Sequence, residues 1–178
     1  MKRTQVLLFS ASISNKTIKQ ANTITYNPVI YELSKENKEL IPKTIKHIFI
    51  ISDRRERIET LRKIAKAVNS DKTMIFINTK YDLEESLQKL QYHNYNVAAL
   101  AGNIDKQSKK KAVEDFQNGR LQYLLATDVA ARGLQIDHVS TVINVNLPEE
   151  PTEYLHRAGR CGRNNEQGLC ISIITENE

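Results

Sequence analysis

Leu121-Gln122-Tyr123-Leu124-Leu125-Ala126-Thr127-Asp128-Val129-Ala130-Ala131-Arg132-Gly133 sets a mostly apolar run of six against an abrupt series of polar, small and basic residues. The run is far too short to cross a bilayer and reads as a buried strand that opens into a loop rich in chemistry. Working outward, 139–145 and 169–174 are further strands, with a helical stretch between them over about 152–160. On the other side, 97–100 is a strand, and Asp105 is placed to cap a helix burying Ala112, Val113 and Phe116. Further upstream, 74–77 is a strand followed by a helix with Leu83, Leu87 and Leu90 on one face. The strand at 44–51 precedes a helix capped by Asp53, with Ile58, Leu61, Ala65 and Val68 at helical spacing. Strands alternating with helices of this length predict an α/β fold: a parallel sheet with helices on both faces, three layers deep. Right-handed crossovers bring the loops after the strands to one edge, where such folds bind ligands.

The whole chain has 178 residues, 40% hydrophobic and 26% charged, which excludes disordered, collagenous and membrane classes. The apolar runs at 6–9 and 48–51 cannot span a membrane. A net charge of +5 permits a polyanionic partner without requiring one. Cys161 and Cys170 are not spaced as a zinc pair and read as reduced thiols of a cytoplasmic protein.

The first forty-odd residues read differently. Residues 5–10 and 28–33 have strand character, Ser12 or Ser14 is placed to cap a weak helix to about Ala21, and 34–43 is a lysine-rich linker closed by Pro42. The folded domain is expected over 44–178. A lone apolar strand at 5–10 predicts either disorder or pairing against a neighbouring molecule.

Three loops carry the chemistry. Asn78 and Thr79 end one strand; Thr127 and Asp128 through Gly133 follow another; His156-Arg157-Ala158-Gly159-Arg160-Cys161-Gly162-Arg163 spaces three arginines by three on a glycine-punctuated helix end. A guanidinium is permanently charged and forked, which suits phosphate oxygens. On residue type alone the cluster equally describes a solvated face paired to Glu149, Glu150 and Glu153.

The three loops in this order and spacing resemble motifs IV, V and VI of the second RecA-like domain of DEAD-box ATP-dependent RNA helicases. Ser10-Ala11-Ser12 is similar to motif III, which ends the first domain of that family, so that residues 1–33 would be a remnant of it. The resemblance implies a RecA-like fold and an ATP hydrolase coupled to RNA unwinding. It makes Arg160 and Arg163 arginine fingers, and gives Gly133, Gln135, His156, Arg157 and Asp128 roles in ATP binding and coupling. It places Asn78, Thr79, Gly102, Lys109 and Thr127 on the RNA sugar-phosphate backbone. It also implies ATP and Mg2+ held mainly by a first RecA-like domain, which is a partner along with RNA.

The departures are Gln135 where the family has an acid on the ATP ribose, and Ala101, Lys106 and Lys109 for its His, Gln and Arg. Gln135 has one acceptor oxygen against a carboxylate's two, so altered ATP affinity is expected. No Gly-x-x-x-x-Gly-Lys-Ser/Thr loop occurs among the six glycines, nor an Asp-Glu-Ala-Asp run. The chain is therefore expected to be half of a motor, inactive alone. The competing expectation is a stand-alone nucleic-acid-binding or partner-docking module without catalysis.

Overall fold

The computed structural model describes residues 5–9, 15–31, 42–101, 104–134 and 136–178. Two compact units divide the chain, Met1–Leu40 and Ile41–Glu178.

In the first unit, residues 15–24 form α1 (Asn15–Ile24), three residues longer than expected. Its end is closed by Thr25, whose N–H and hydroxyl both donate to the Ala21 carbonyl. Of the strands expected at 5–10 and 28–33, the described residues 5–9 and 28–31 are irregular, with Leu7, Phe9, Val29 and Tyr31 exposed. A strand is held by its ladder, and four apolar residues without a paired neighbour have none. Ser10, Ala11, Ser12 and Ser14 lie outside the described residues.

The second unit alternates as the sequence predicts: β1 (Ile45–Ile51), α2 (Arg57–Val68), β2 (Thr73–Phe76), α3 (Lys80–Tyr92), β3 (Val97–Leu100), α4 (Lys106–Gln117), β4 (Tyr123–Ala126), α5 (Asp128–Ala131), β5 (Thr141–Asn144), α6 (Pro151–Ala158) and β6 (Gly168–Ile174). The strands form one six-stranded sheet in the order β1-β6-β5-β2-β4-β3. All five pairings are parallel.

Side chains alternate across it. Met74, Phe76, Leu124, Ala126, Val142 and Cys170 meet Phe116 of α4, Ala130 and Ala131 of α5 and Ala158 of α6. Ile75, Tyr123, Leu125, Ile143, Ile171 and Ile173 meet Leu61, Ile64 and Ala65 of α2 and Leu83 and Leu90 of α3. Both faces are therefore covered, the reason these strands read as continuous apolar runs. The architecture is the three-layer α/β/α expected.

Asp105 caps α4 as expected, accepting from the N–H groups of Gln107 and Ser108. A bond from the Ser108 side chain, followed by these backbone bonds, holds its carboxyl below the usual carboxylate range. Asp53 does not cap α2 through its side chain. Its carbonyl instead accepts from Glu56 N–H, so a 3-10 turn over Arg54–Glu56 leads into the helix.

Candidate functional site

The strand order places β5, β2, β4 and β3 side by side, so the segments leaving their carboxyl ends are neighbours along one edge. Asn78 and Thr79 follow β2, Thr127 and Asp128 follow β4, and Asn146 follows β5. From β5 the chain enters α6, whose first turn has Pro151 in place, where a missing N–H costs nothing. That helix carries Arg157 back over the sheet face.

Arg157 is the centre of the site and is only 1% exposed. Asp128 takes it side-on: Nε donates to Oδ1 at 2.7 Å and Nη2 to Oδ2 at 2.5 Å. Nη2 also donates to Asn78 Oδ1 at 2.7 Å. Nη1 donates to the Asn146 carbonyl at 2.7 Å and to Asn144 Oδ1 at 3.4 Å. All five guanidinium protons are thereby used, and the group lies 5.2 Å from the centre of the Phe76 ring. A buried cation is tolerated only when paired and fully hydrogen-bonded, and this one is both.

Asn78 is held locally. Beyond accepting from Arg157, its Nδ2 donates to the Leu147 carbonyl at 2.8 Å and its backbone N–H to Asn146 Oδ1 at 3.2 Å. The hydroxyls of Thr79 and Thr127 both accept at helix starts, from Asp82 N–H and Ala130 N–H respectively. Each hydroxyl keeps its own proton to donate outward. Lys109 is partly exposed, one turn into α4. Gly102 and Gln135 lie outside the described residues.

The other two arginines differ from Arg157. Arg160 Nη1 donates to the Leu134 carbonyl at 2.6 Å, and Arg163 Nε to the Gly159 carbonyl at 3.1 Å. Neither meets a carboxylate among the described residues; Glu153 pairs instead with Arg132, at 2.7 Å. Burial, and then the like charge of Arg163, lower the pKa of Arg160. Two guanidiniums thus feel each other's charge, and among the described residues neither has a carboxylate to neutralise it. An open cleft of about 330 Å³ is lined by Asp128, Arg132, Gly133, Glu153, exposed His156, Arg157 and Arg160, with Phe76 at its base.

The backbone around these arginines is unusual. Gly133, Gly162, Asn164 and Asn165 all adopt left-handed conformations. At Gly162 a Cβ would also lie 2.6 Å from Ile45 Cγ1, so the turn presses against the start of β1. Sequence reasoning missed Asn144, Asn146, Phe76 and the Leu134 carbonyl. Asn144 had a signal: an amide at an inward-facing position of a strand otherwise apolar.

Among the described residues no group of His, Cys, Asp and Glu could hold a metal ion, and no helix is long and apolar enough to cross a membrane. Cys161 and Cys170 are buried free thiols.

An all-parallel sheet with its motif loops along one edge is the frame of a RecA-like α/β domain, and the chain belongs to the helicase conserved C-terminal domain family, matched over residues 56–165. Its relatives are specifically DEAD-box RNA helicases. It is 33% identical over its full length to the DEAD-box ATP-dependent RNA helicase CshC of Bacillus cereus, covering 45% of that protein. It is 34% identical over 98% of its length to the ATP-dependent RNA helicase DBP3 of Saccharomyces cerevisiae, covering 34%. Among solved structures, S. cerevisiae Dbp5 bound to RNA and ADP BeF3 superposes with a TM-score of 0.85 at 29% identity, over 97% of this chain and 46% of that one. The fold is the RecA-like C-terminal domain of these enzymes. The chain spans less than half the length of these relatives.

Proposed function

We propose that this chain supplies one half of an ATP-dependent RNA helicase: the arginines that face the ATP phosphates and half of a sequence-independent RNA cleft. The observation that carries the reading is the contrast within one helix end. Arg157 is saturated by five acceptors, whereas Arg160 and Arg163 have only main-chain carbonyls and no carboxylate among the described residues. Guanidiniums held in place by carbonyls, with protons to spare, suit an incoming polyphosphate.

Arg160 and Arg163 act as arginine fingers, neutralising charge that develops on the transferred phosphoryl group. His156 and Gly133, on the cleft wall, contribute to nucleotide binding, and Gln135 serves the ATP ribose. Asp128 and Arg157 couple that site to the strand ends. There Thr79, Thr127, Gly102 and Lys109 meet the RNA backbone, the two hydroxyls donating to phosphate while their oxygens cap α3 and α5. Asn78 acts indirectly, holding Arg157. Contacts of this kind carry no base information, so binding is sequence-independent and weakens with salt. Residues 1–33 belong to the first RecA-like domain and 34–43 to the linker. That first domain contributes the phosphate-cradling loop and the Mg2+ ligands, for which the described residues here offer no carboxylate cluster.

The test is ATP turnover by the 178-residue chain alone and by the chain joined to the first RecA-like domain of a bacterial DEAD-box relative. RNA-stimulated hydrolysis by the joined protein only is expected. Hydrolysis by the chain alone refutes the reading.

A further inference from the structure

We infer that Asn144 is a positioning residue: it and Ser172 behind it set the plane of the Arg157 guanidinium. The argument begins in the strands. β5 reads Thr141-Val142-Ile143-Asn144, and Asn144 is 0% exposed on the face where Val142 and Phe76 are core residues. A buried amide at such a position is destabilising unless both ends are satisfied. They are. Its Oδ1 accepts from Arg157 Nη1, and its Nδ2 donates to Ser172 Oγ at 3.1 Å and contacts Cys170 Sγ at 3.6 Å.

Ser172 lies directly across the ladder from Asn144 and is itself buried. The guanidinium fixes which end of the amide points at it, because only an oxygen can accept from a cation's N–H, and the Nδ2 end is anchored by donating to Ser172 Oγ. A polar line therefore runs from β6 through β5 into α6, and from Arg157 to the loops after β4 and β2.

Asp128 holds Nε and Nη2 in a two-bond grip and Asn78 takes the second Nη2 proton, so rotation about Cζ–Nε must break bonds on both Nη groups. The two acceptors on Nη1, the Asn146 carbonyl and Asn144 Oδ1, add to that barrier. The orientation of Arg157 in turn fixes Asn78 and Asp128, hence the floor of the cleft and the adjacent strand ends. That consequence rests on the function proposed above; the orientation itself does not.

The experiment separates the two. Rotation of the Arg157 guanidinium about Cζ–Nε is followed by 15N NMR in the 178-residue chain, and affinity for a single-stranded RNA homopolymer is measured alongside. Asn144→Val should speed rotation about tenfold, the scale of one hydrogen bond to a charged group, and weaken RNA binding similarly. Asn144→Asp restores an acceptor and should rotate as slowly as wild type. Ser172→Ala, which leaves the acceptor but frees its other end, should speed rotation by a smaller factor. Unchanged rotation in Asn144→Val, or fast rotation in Asn144→Asp, overturns the inference. If Asn144→Val does not fold, the other two variants decide it: slow Asn144→Asp with faster Ser172→Ala supports it, and any other pair refutes it. If neither the chain alone nor the chain joined to a first RecA-like domain binds the homopolymer, the functional reading fails and the NMR result judges Asn144.

Discussion

Replacing Asp128 by Asn tests the centre of the site with a change of almost no volume. In the native domain Asp128 takes two of the five guanidinium protons of Arg157, at 2.7 and 2.5 Å. The Asn side chain keeps one acceptor and turns an NH2 toward the other donor, so one bond becomes a repulsion. Arg157, at 1% exposure, then carries a charge without a counter-charge. Removing one partner of a buried pair costs about 3–5 kcal/mol, and the partial exposure of Asp128 puts this case at the lower end, about 3 kcal/mol. For a domain of this size that is a fall in Tm of roughly 10 °C. The assay is urea unfolding followed by circular dichroism, with Arg157→Met and the double variant completing a cycle. Coupling of about 2 kcal/mol is expected, because the double variant has no orphaned cation. Asp128→Asn within about 0.5 kcal/mol of wild type would refute the assignment of Arg157 as a buried, paired cation.

Gly162→Ala and Gly133→Ala separate strain from crowding. Both positions are left-handed, but a Cβ at Gly133 meets nothing within 4 Å while one at Gly162 meets Ile45 at 2.6 Å. Thermal melts should show a loss of about 1 kcal/mol at Gly133 and clearly more at Gly162. Thr79→Ala should cost about 1 kcal/mol through the cap of α3, and Thr79→Ser much less, by chemical denaturation. Burial, then the neighbouring Cys170, push the Cys161 thiol up to about 12. Because the folded value lies above that of an ordinary thiol, about 8.5, the native state binds more protons between the two values. Stability should be full below the unfolded pKa and fall as pH rises toward 12, and a thiol reagent at pH 8 should label only unfolded chain.

The α/β architecture was legible because a parallel sheet covered on both faces needs short, mostly apolar strands, as at 74–77 and 121–126. The motif loops were legible from spacing. What escaped detection was local. Residues 5–9 have the composition of a strand, but composition does not supply a neighbour to pair with. Asp53 has the residue type of a cap, yet its carbonyl, not its carboxylate, closes the turn. The four residues of α5 are too few for any period to show. The three arginines look alike in the sequence. Only the fold separates Arg157, enclosed by acceptors from three strand ends, from Arg160 and Arg163, which are not. Asn78 was expected at RNA; the fold adds bonds to Arg157 and Leu147 that its place in the sequence did not show, and leaves one Nδ2 proton unused by them.

That division among the arginines is the central claim, and one paired measurement tests it. Arg157→Ala and Arg163→Ala are compared for unfolding free energy and, in the protein joined to a first RecA-like domain, for RNA-stimulated ATP turnover. Arg163→Ala should melt within about 0.5 kcal/mol of wild type and lose about a thousandfold or more in kcat. Arg157→Ala should lose stability first, by several kcal/mol, through the orphaned Asp128 and Asn144. Turnover that survives Arg163→Ala, or a loss of stability as large as that of Arg157→Ala, would contradict the account.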